Sequence, residues 1–270
     1  MELRMAALAS GSRGNSIYIG SGNHHLLIDA GLSGKKTQEG LAGLGLSLTD
    51  IEAVLITHEH TDHIGGLGVL LRKCPVPVYG TAGTLQALLD SPDGRRGRVP
   101  AELLREITPD EDFRVGDLRI SPFRVSHDGR EPAAYRVRCG ERSVAVVTDL
   151  GTYDEALVRR LQGLDALLLE TNHDVGMLEL GPYPYMLKQR ILGGCGHLSN
   201  ESAGRLLNEL LHDGMEHILL GHLSKENNYP ALAYEAVRTE ITLGRTPYKG
   251  SDFPISIAGQ ESLSEIIVLT

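Results

Sequence analysis

Apolar residues in the first quarter of the chain come in short runs separated by glycine, serine and asparagine. Three such runs cover residues 3–9, 16–19 and 25–28. Short apolar runs with turn residues between them predict β-strands joined by tight turns. The run over residues 51–56 is apolar almost throughout, which is typical of a strand buried on both faces. The chain therefore begins with a predicted strand meander that leads into a buried strand.

Strands and helices alternate along the rest of the chain. An apolar pattern that stops before Pro75 predicts one helix over residues 64–72. Residues 113–125 predict one long strand, and residues 91–98 predict a polar loop that carries Arg95, Arg96 and Arg98. The remaining predicted helices cover residues 34–44, 85–89, 154–161, 185–192, 203–211 and 231–240. The remaining predicted strands cover residues 76–79, 135–139, 143–147, 166–169 and 218–220, with two more near the end.

Strand-rich and helix-alternating segments occur in both halves of the chain, and no Pro- or Ser-rich linker separates them. We therefore expect a single domain over residues 1–270. The simplest architecture is an α/β (α+β) fold in which two mixed sheets pack face to face with helices outside, a four-layer αββα sandwich. Periodicity alone does not distinguish this from another α/β arrangement.

Composition narrows the possible partners. The net charge is −9, so the chain has no long-range attraction for nucleic acid or anionic lipid, and local features must hold any polyanionic substrate. Cys74, Cys139 and Cys195 are too far apart in sequence to indicate a disulfide framework. The chain begins without the apolar region of a signal peptide, and no apolar run approaches the roughly 18 residues of a membrane span. We expect a cytoplasmic protein with no membrane partner.

A dense group of metal-binding residue types follows the buried strand 51–56. Three histidines and one aspartate fall within six residues: His58, His60, Asp62 and His63. Imidazole and carboxylate groups suit zinc, iron or manganese. His58 and His60 are two residues apart in an extended loop and can point the same way. The aspartate and the third histidine follow where the chain turns into a helix, so they can face a second metal.

Three further candidates for ligands lie just beyond apolar runs: His127, Asp149 and His222. Each follows a predicted strand at its carboxyl end. In α/β folds these ends meet at one rim, where functional loops lie. One such residue alone would be read as a hydrogen-bonded rim residue. The recurrence of the same context predicts that all three complete a two-metal site.

The segment His58-Glu59-His60-Thr61-Asp62-His63 matches the HxHxDH signature of the metallo-β-lactamase superfamily, which the chain resembles over nearly its whole length. Other residues match the family's pattern in order: Asp29, His127, Asp149 and His222. The resemblance implies that one metal is held by His58, His60 and His127. It implies that the other is held by Asp62, His63 and His222. It also implies that Asp149 bridges the metals and that Asp29, outside the ligand set, braces the ligand loop.

Finer phrases resemble the YycJ/WalJ-like branch of this superfamily, whose members are described as DNA exonucleases or as metallo-hydrolases. These phrases cover residues 8–15, 171–174, 196–200 and 220–228. One departure is Arg13, where the branch often has a small residue. It changes the loop and leaves the predicted metal ligands untouched.

Two more histidines are candidates for catalysis. His173 follows the predicted strand 166–169, so it can reach the same rim. His197 precedes a helix start marked by Ser199 and Asn200, and a helix N-terminus is a ready phosphate site. The segment around His197 also resembles the Gly-His-Ser element of transfer-RNA 3′-processing nucleases, whose histidine assists the leaving group.

The leading hypothesis is a phosphodiesterase, a nuclease acting on DNA with two divalent ions (Zn, Mn or Fe). Asp62 would orient the attacking water or take its proton, while His197, with His173 as a second candidate, would protonate the leaving oxygen. One alternative is a hydrolase of a small thioester, lactone or phosphodiester. A β-lactamase is disfavoured, because the zinc β-lactamases have Cys at the position of Asp149. A non-catalytic metal-binding regulatory module is the third reading, and the complete ligand set argues against it.

Overall fold

The computed structural model describes residues 2–90 and 99–270. The predicted loop 91–98, with Arg95, Arg96 and Arg98, lies outside these residues. The strands are β1 Leu3–Ala9, β2 Ser16–Gly20, β3 His25–Ile28, β4 Ala53–Leu55, β5 Val78–Thr81, β6 Leu104–Ile107, β7 Phe113–Val115, β8 Leu118–Arg124, β9 Ala133–Cys139, β10 Arg142–Val147, β11 Ala166–Glu170, β12 His217–Gly221, β13 Ile255–Ile257 and β14 Ile267–Leu269. The α-helices are α1 Gly34–Gly43, α2 Thr61–Ile64, α3 Leu67–Lys73, α4 Ala82–Asp90, α5 Glu155–Leu161, α6 Val175–Leu180, α7 Tyr185–Leu192, α8 Asn200–Leu210 and α9 Pro230–Leu243. Short 3₁₀ helices cover Leu48–Asp50 and Ala101–Leu103.

The strands form two sheets of seven strands each. The first has the order β14-β1-β2-β3-β4-β5-β6, and the second has the order β13-β12-β11-β10-β9-β8-β7. Each sheet has an antiparallel part and a parallel part. The parallel part covers β3 to β6 in the first sheet and β10 to β13 in the second. The parallel strands place their carboxyl ends at one edge, and the polar loops that follow them begin there.

The two sheets pack face to face, and alternate residues of a strand enter different cores. In β1, Leu3 and Met5 belong to the core between the sheets, whereas Ala6 and Leu8 belong to the core under the helices of the first sheet. This core is closed by α1, α3 and α4, and the matching core of the second sheet is closed by α5, α8 and α9. Because both faces of a central strand are buried, its sequence is apolar throughout. The predicted four-layer αββα sandwich is confirmed. The single-domain assignment for residues 1–270 stays a prediction.

The structure corrects two predicted elements. The single strand 113–125 is wrong, because the chain turns between β7 and β8, where Val115 pairs antiparallel with Leu118 and Gly116 has a φ of 57°. The single helix 64–72 is also wrong, because α2 and α3 are separate helices. The N–H of Gly66 donates to the carbonyl oxygen of Ala30 at 2.8 Å, and the carbonyl oxygen of Asp62 accepts the N–H of Asn15 at 2.7 Å, so the helical hydrogen bond between residues 62 and 66 is replaced by bonds to other segments.

Strand β6 and helix α6 were not among the predicted elements. In the part of the chain that the structure describes, no helix has the length and apolar character needed to cross a membrane.

Candidate metal centre

The predicted site residues meet at the edge where the parallel strands end. Among the described residues, four non-glycine residues have a positive φ, and three of them are Asp29 at 64°, Asp149 at 54° and His222 at 55°. Each lies one or two residues after a strand, at the end of β3, β10 and β12. This left-handed region is unfavourable for residues with a Cβ atom and concentrates at functional sites. The strained turns therefore mark the same edge that the polar residues occupy.

One group of candidate ligands contains His58, His60 and His127. Each of these histidines offers one ring nitrogen, and the three nitrogens lie within 4.8 Å of one another. His58 is 1% exposed, and no described residue forms a hydrogen bond with its Nε2 atom. His127 Nδ1 donates to the carbonyl oxygen of Gly196 at 3.0 Å. This bond keeps the proton on Nδ1 and leaves the Nε2 lone pair directed towards the site.

A second group contains Asp62, His63 and His222. One carboxylate oxygen and two ring nitrogens of this group lie within 4.8 Å of one another. His63 Nδ1 donates to Asp29 Oδ2 at 2.7 Å, and the backbone N–H of Thr57 donates to the same carboxylate at 2.9 Å. The Nε2 atoms of His63 and His222 lie 3.4 and 3.5 Å from Asp62 Oδ2. Asp29 therefore orients His63 from behind while the reactive nitrogen faces Asp62.

Asp149 lies between the two groups. Its Oδ2 is 2.9 Å from His63 Nε2, and its Oδ1 is 3.6 Å from His127 Nε2. Burial by itself raises the pKa of this carboxyl group, but the neighbouring rings of His222 and His63 hold the pKa well below its usual range. Asp149 is thus a buried carboxylate that touches both histidine groups.

The electrostatics of the cluster suit a divalent cation. Burial lowers the pKa of His58 well below its usual value, so this ring is neutral, as a ligand must be. Burial also opposes charge on His63, yet Asp149 and Asp29 raise its pKa well above the usual value. The buried carboxylates thus attract positive charge to the position that the ring nitrogens face. The free Nε2 atom of His58, the neutral ring that carries it and the buried carboxylates together fit a zinc, iron or manganese centre.

A cleft of about 500 Å³ opens over this cluster. Asp62 and His197 both line it. His197 Nδ1 donates to Glu170 Oε1 at 2.8 Å. Burial opposes charge on His197, but the adjacent Glu170 carboxylate raises its pKa. His197 is therefore held by a carboxylate at the wall of the cleft.

His173 is placed differently from the other predicted site residues. It belongs to none of the metal-ligand groups formed by the described residues, and it lines a separate cavity of about 330 Å³ that shares His197 as a wall. Its ring is 1% exposed, and burial lowers its pKa to about 4. Its backbone carbonyl accepts the N–H of Asn200 at the start of α8. The catalytic role of His173 stays a prediction.

Sequence reasoning missed two residues of the site. Glu170 is fully buried at the end of β11, and its Oε1 accepts from His222 Nδ1 at 2.7 Å. Asn15 Nδ2 lies 3.1 Å from His63 Nε2 and donates to Asp62 Oδ2 at 3.3 Å. Glu170 follows an apolar run, the same signal that indicated Asp149. Asn15 carries no such signal, because it lies in a Gly- and Ser-rich turn.

The fold and the site agree with the comparison to known proteins. Residues 24–222 match the family model described as the beta-lactamase superfamily domain. The chain belongs to this superfamily and has the metallo-β-lactamase fold. The predicted class, a metal-dependent hydrolase of this superfamily, is confirmed.

Two relatives are similar over most of the chain. Exodeoxyribonuclease YycJ of Bacillus anthracis is 39% identical over 237 residues, which is 88% of this chain and 88% of the relative. Exodeoxyribonuclease WalJ of Streptococcus pneumoniae is 41% identical over 238 residues, with the same coverage of both chains. The predicted resemblance to the YycJ/WalJ-like branch is confirmed.

Solved structures show the same fold at low sequence identity. The metallo-beta-lactamase fold protein YhfI from Bacillus subtilis has a TM-score of 0.70 at 18% identity and covers 100% of both chains. Zn²⁺-bound PqqB from Methylobacterium extorquens has a TM-score of 0.70 at 19% identity and covers 99% of both chains. These likenesses support the fold alone.

Proposed function

We propose that this protein is a DNA exonuclease that hydrolyses phosphodiester bonds with two divalent ions. The observation that carries the proposal is the pair of histidine groups that share the buried carboxylate Asp149 at the base of an open cleft. The names of the relatives at 39% and 41% identity support DNA as the substrate. We further propose that the protein acts in the cytoplasm, which suits its three free cysteines.

The proposed ligands follow the two groups. One ion would be held by His58, His60 and His127. The other would be held by Asp62, His63 and His222. Asp149 would bridge them. The mixed set of imidazole and carboxylate ligands accepts Zn, Mn or Fe. Ions bound there would lower the pKa of water and offset negative charge on the phosphate.

The chain's own residues would position the reacting groups. Asp62 lines the cleft, and its side chain is 23% exposed, so it can accept a hydrogen bond from the attacking water. His197 lines the same cleft and is oriented by Glu170. Because Glu170 holds a proton on Nδ1, the other ring nitrogen is the one that can donate to a leaving oxygen. We keep His173 as a second candidate for this step.

The test combines metal analysis with cleavage of labelled DNA. Purified protein loaded separately with Zn, Mn and Fe would be assayed on single- and double-stranded oligonucleotides labelled at the 5′ or 3′ end. We expect about two ions per chain and stepwise release of nucleotides from one end. A thioester and bis-p-nitrophenyl phosphate serve as comparison substrates. Hydrolysis of the thioester without any cleavage of DNA would favour a small-molecule hydrolase. No hydrolysis of any of these substrates would favour a regulatory module.

A further inference from the structure

The loop between β1 and β2, residues 10–15, lies against the second group of candidate ligands. Two of its polar residues, Ser10 and Asn15, are fully buried. The hydroxyl group of Ser10 accepts the backbone N–H of His222 at 2.9 Å and donates to Asn15 Oδ1 at 3.3 Å. The backbone N–H of Asn15 donates to the carbonyl oxygen of Asp62 at 2.7 Å. The loop therefore joins a ligand that follows β12 in the second sheet to one that follows β4 in the first.

Gly11 sets the orientation of the Asn15 side-chain amide. The N–H of Gly11 donates to Asn15 Oδ1 at 2.9 Å, and Asn15 Nδ2 donates to the carbonyl oxygen of Gly11 at 3.2 Å. A backbone N–H can only donate and a carbonyl oxygen can only accept, so the reversed amide would oppose donor to donor and acceptor to acceptor. The NH₂ group of Asn15 is therefore fixed on the side of Asp62 and His63.

One hydrogen atom of this NH₂ group is left for the candidate ligands. Asn15 Nδ2 lies 3.3 Å from Asp62 Oδ2 and 3.1 Å from His63 Nε2. His63 carries its proton on Nδ1, where it donates to Asp29, so the lone pair on its Nε2 also accepts from the amide. When that lone pair holds an ion, the amide hydrogen belongs to Asp62 alone.

The contacts of Asp62 with the second group fall on one of its two carboxylate oxygens. Asn15 Nδ2, His63 Nε2 and His222 Nε2 all lie within 3.5 Å of Oδ2. The side chain of Asp62 is nevertheless 23% exposed and lines the cleft. A carboxylate that is held by one oxygen can still accept a hydrogen bond at the other. The groups that hold Oδ2 therefore set which oxygen faces the cleft.

We propose that Asn15 is a positioning residue, whose NH₂ group holds Asp62 Oδ2 in the second ligand group so that the other oxygen faces the attacking water. The inference rests on the proposed function, in which Asp62 accepts a hydrogen bond from that water. Among the described residues, the hydrogen-bond partners of the Asn15 side chain include none of His58, His60 and His127. Loss of the amide should therefore weaken binding of one ion and lower kcat, and leave the other ion bound as in the wild type.

The variant Asn15→Ala tests this role in the full chain. Calorimetric titration of the metal-free protein with Zn²⁺ or Mn²⁺ should show one of two binding steps weakened by about 10–100-fold, the usual cost of losing a partner that orients a metal ligand. His58→Ala, which removes a ligand of the first group, identifies the step that belongs to that group. With both ions bound, kcat on labelled DNA should fall by about 10–100-fold while KM changes little.

Two further variants separate positioning from support of the fold. Asn208→Ala is the matched control, because its amide donates to the backbone carbonyls of Gly204 and Glu240 at 3.3 and 2.8 Å, between α8 and α9. It should keep the wild-type metal affinity and kcat. Asn15→Asp keeps the size of the side chain and an acceptor for the N–H of Gly11, but it replaces the donor to Asp62 with an oxygen. Its kcat should be as low as that of Asn15→Ala, because two carboxylate oxygens repel each other.

Three results would overturn the inference. Wild-type affinity at both steps in folded Asn15→Ala would show that the amide does not hold the ligand. An equal loss at both steps, or the same loss in Asn208→Ala, would assign Asn15 to the stability of the fold. Wild-type kcat in Asn15→Asp would show that donation to Asp62 is not needed, and this variant carries the test if Asn15→Ala does not fold. Failure of the proposed function is a separate outcome, because the wild type itself would then cleave no DNA, whereas the metal titrations need no DNA.

Discussion

Replacement of Glu170 by glutamine tests how the buried carboxylate controls the candidate metal centre. Glu170 Oε1 accepts from the Nδ1 atoms of His197 at 2.8 Å and His222 at 2.7 Å. Its Oε2 accepts the backbone N–H groups of Leu150 at 2.7 Å and Leu198 at 3.1 Å. A carboxylate satisfies four donors, whereas an amide has one accepting oxygen and one donating NH₂ group.

The orientation of the new amide follows from which donors can change. A backbone N–H cannot become an acceptor, but an imidazole can change tautomer. The amide oxygen of Glu170→Gln therefore takes the two backbone donors, and its NH₂ group faces the rings. His222 must then accept at Nδ1 and carry its proton on Nε2, which is the atom that faces Asp62. Loss of such a supporting hydrogen bond weakens metal binding by about 10–100-fold, or roughly 1.4–2.7 kcal/mol.

Calorimetric titration of metal-free protein with Zn²⁺ or Mn²⁺ measures this effect. We expect one of two binding steps to weaken by the stated factor and the other, at the group that contains His58, to change little. Glu131→Gln is the matched control, because Glu131 accepts a backbone N–H from Gly83 and pairs with Arg124, and neither partner is an imidazole. Wild-type affinity at both steps in Glu170→Gln, or an equal loss in Glu131→Gln, would refute the reasoning.

Three other predictions concern residues at or near the site. Asp149→Ala should lower both metal content and rate, and a variant with two ions and full activity would show that Asp149 is not the bridge. His197→Ala should lower kcat on DNA by roughly 10²–10⁴ while metal content survives. Loss on bis-p-nitrophenyl phosphate should be much smaller, because p-nitrophenolate needs little protonation; equal losses would indicate substrate positioning. Gly31→Ala should lower the free energy of unfolding by ~1–3 kcal/mol and displace the ligand loop, because its Cβ would lie 1.7 Å from the carbonyl oxygen of Asp62. Gly22→Ala, whose Cβ would meet open space, is the control and should show the wild-type free energy of unfolding in chemical denaturation.

Much of the fold and the candidate site could be predicted from local sequence. The apolar run over residues 51–56 predicted a buried strand because both of its faces enter a core, and Val54 and Leu55 indeed belong to different cores. His127 and Asp149 each follow such a run. Strands that run in the same direction place their carboxyl ends at one edge, so residues far apart in sequence were expected to meet there. Strands β8 and β10 share a direction because each pairs antiparallel with β9, and the structure brings these two residues within 3.6 Å.

Other features depended on contacts that no local pattern records. The break between α2 and α3 arises because the N–H of Gly66 donates to the carbonyl oxygen of Ala30, more than thirty residues earlier in the chain. His173 lines a separate cavity beside His197 and does not join the metal-ligand groups, and this placement also depends on how the loops pack.

The order of residues along the chain sets which residue types stand at the strand ends, and therefore the metal chemistry available to this protein. The hydrogen-bond partners of those residues depend on how the folded chain packs. Glu170 reaches His222 because β11 pairs with β12, and it reaches His197 because the loop before α8 donates the N–H of Leu198 to the same carboxylate. Asn15 reaches His63 across 48 residues. The physical reason is that a strand's own periodicity sets which side chains are buried, whereas the pairing of strands and the packing of loops set which buried polar groups share a hydrogen bond.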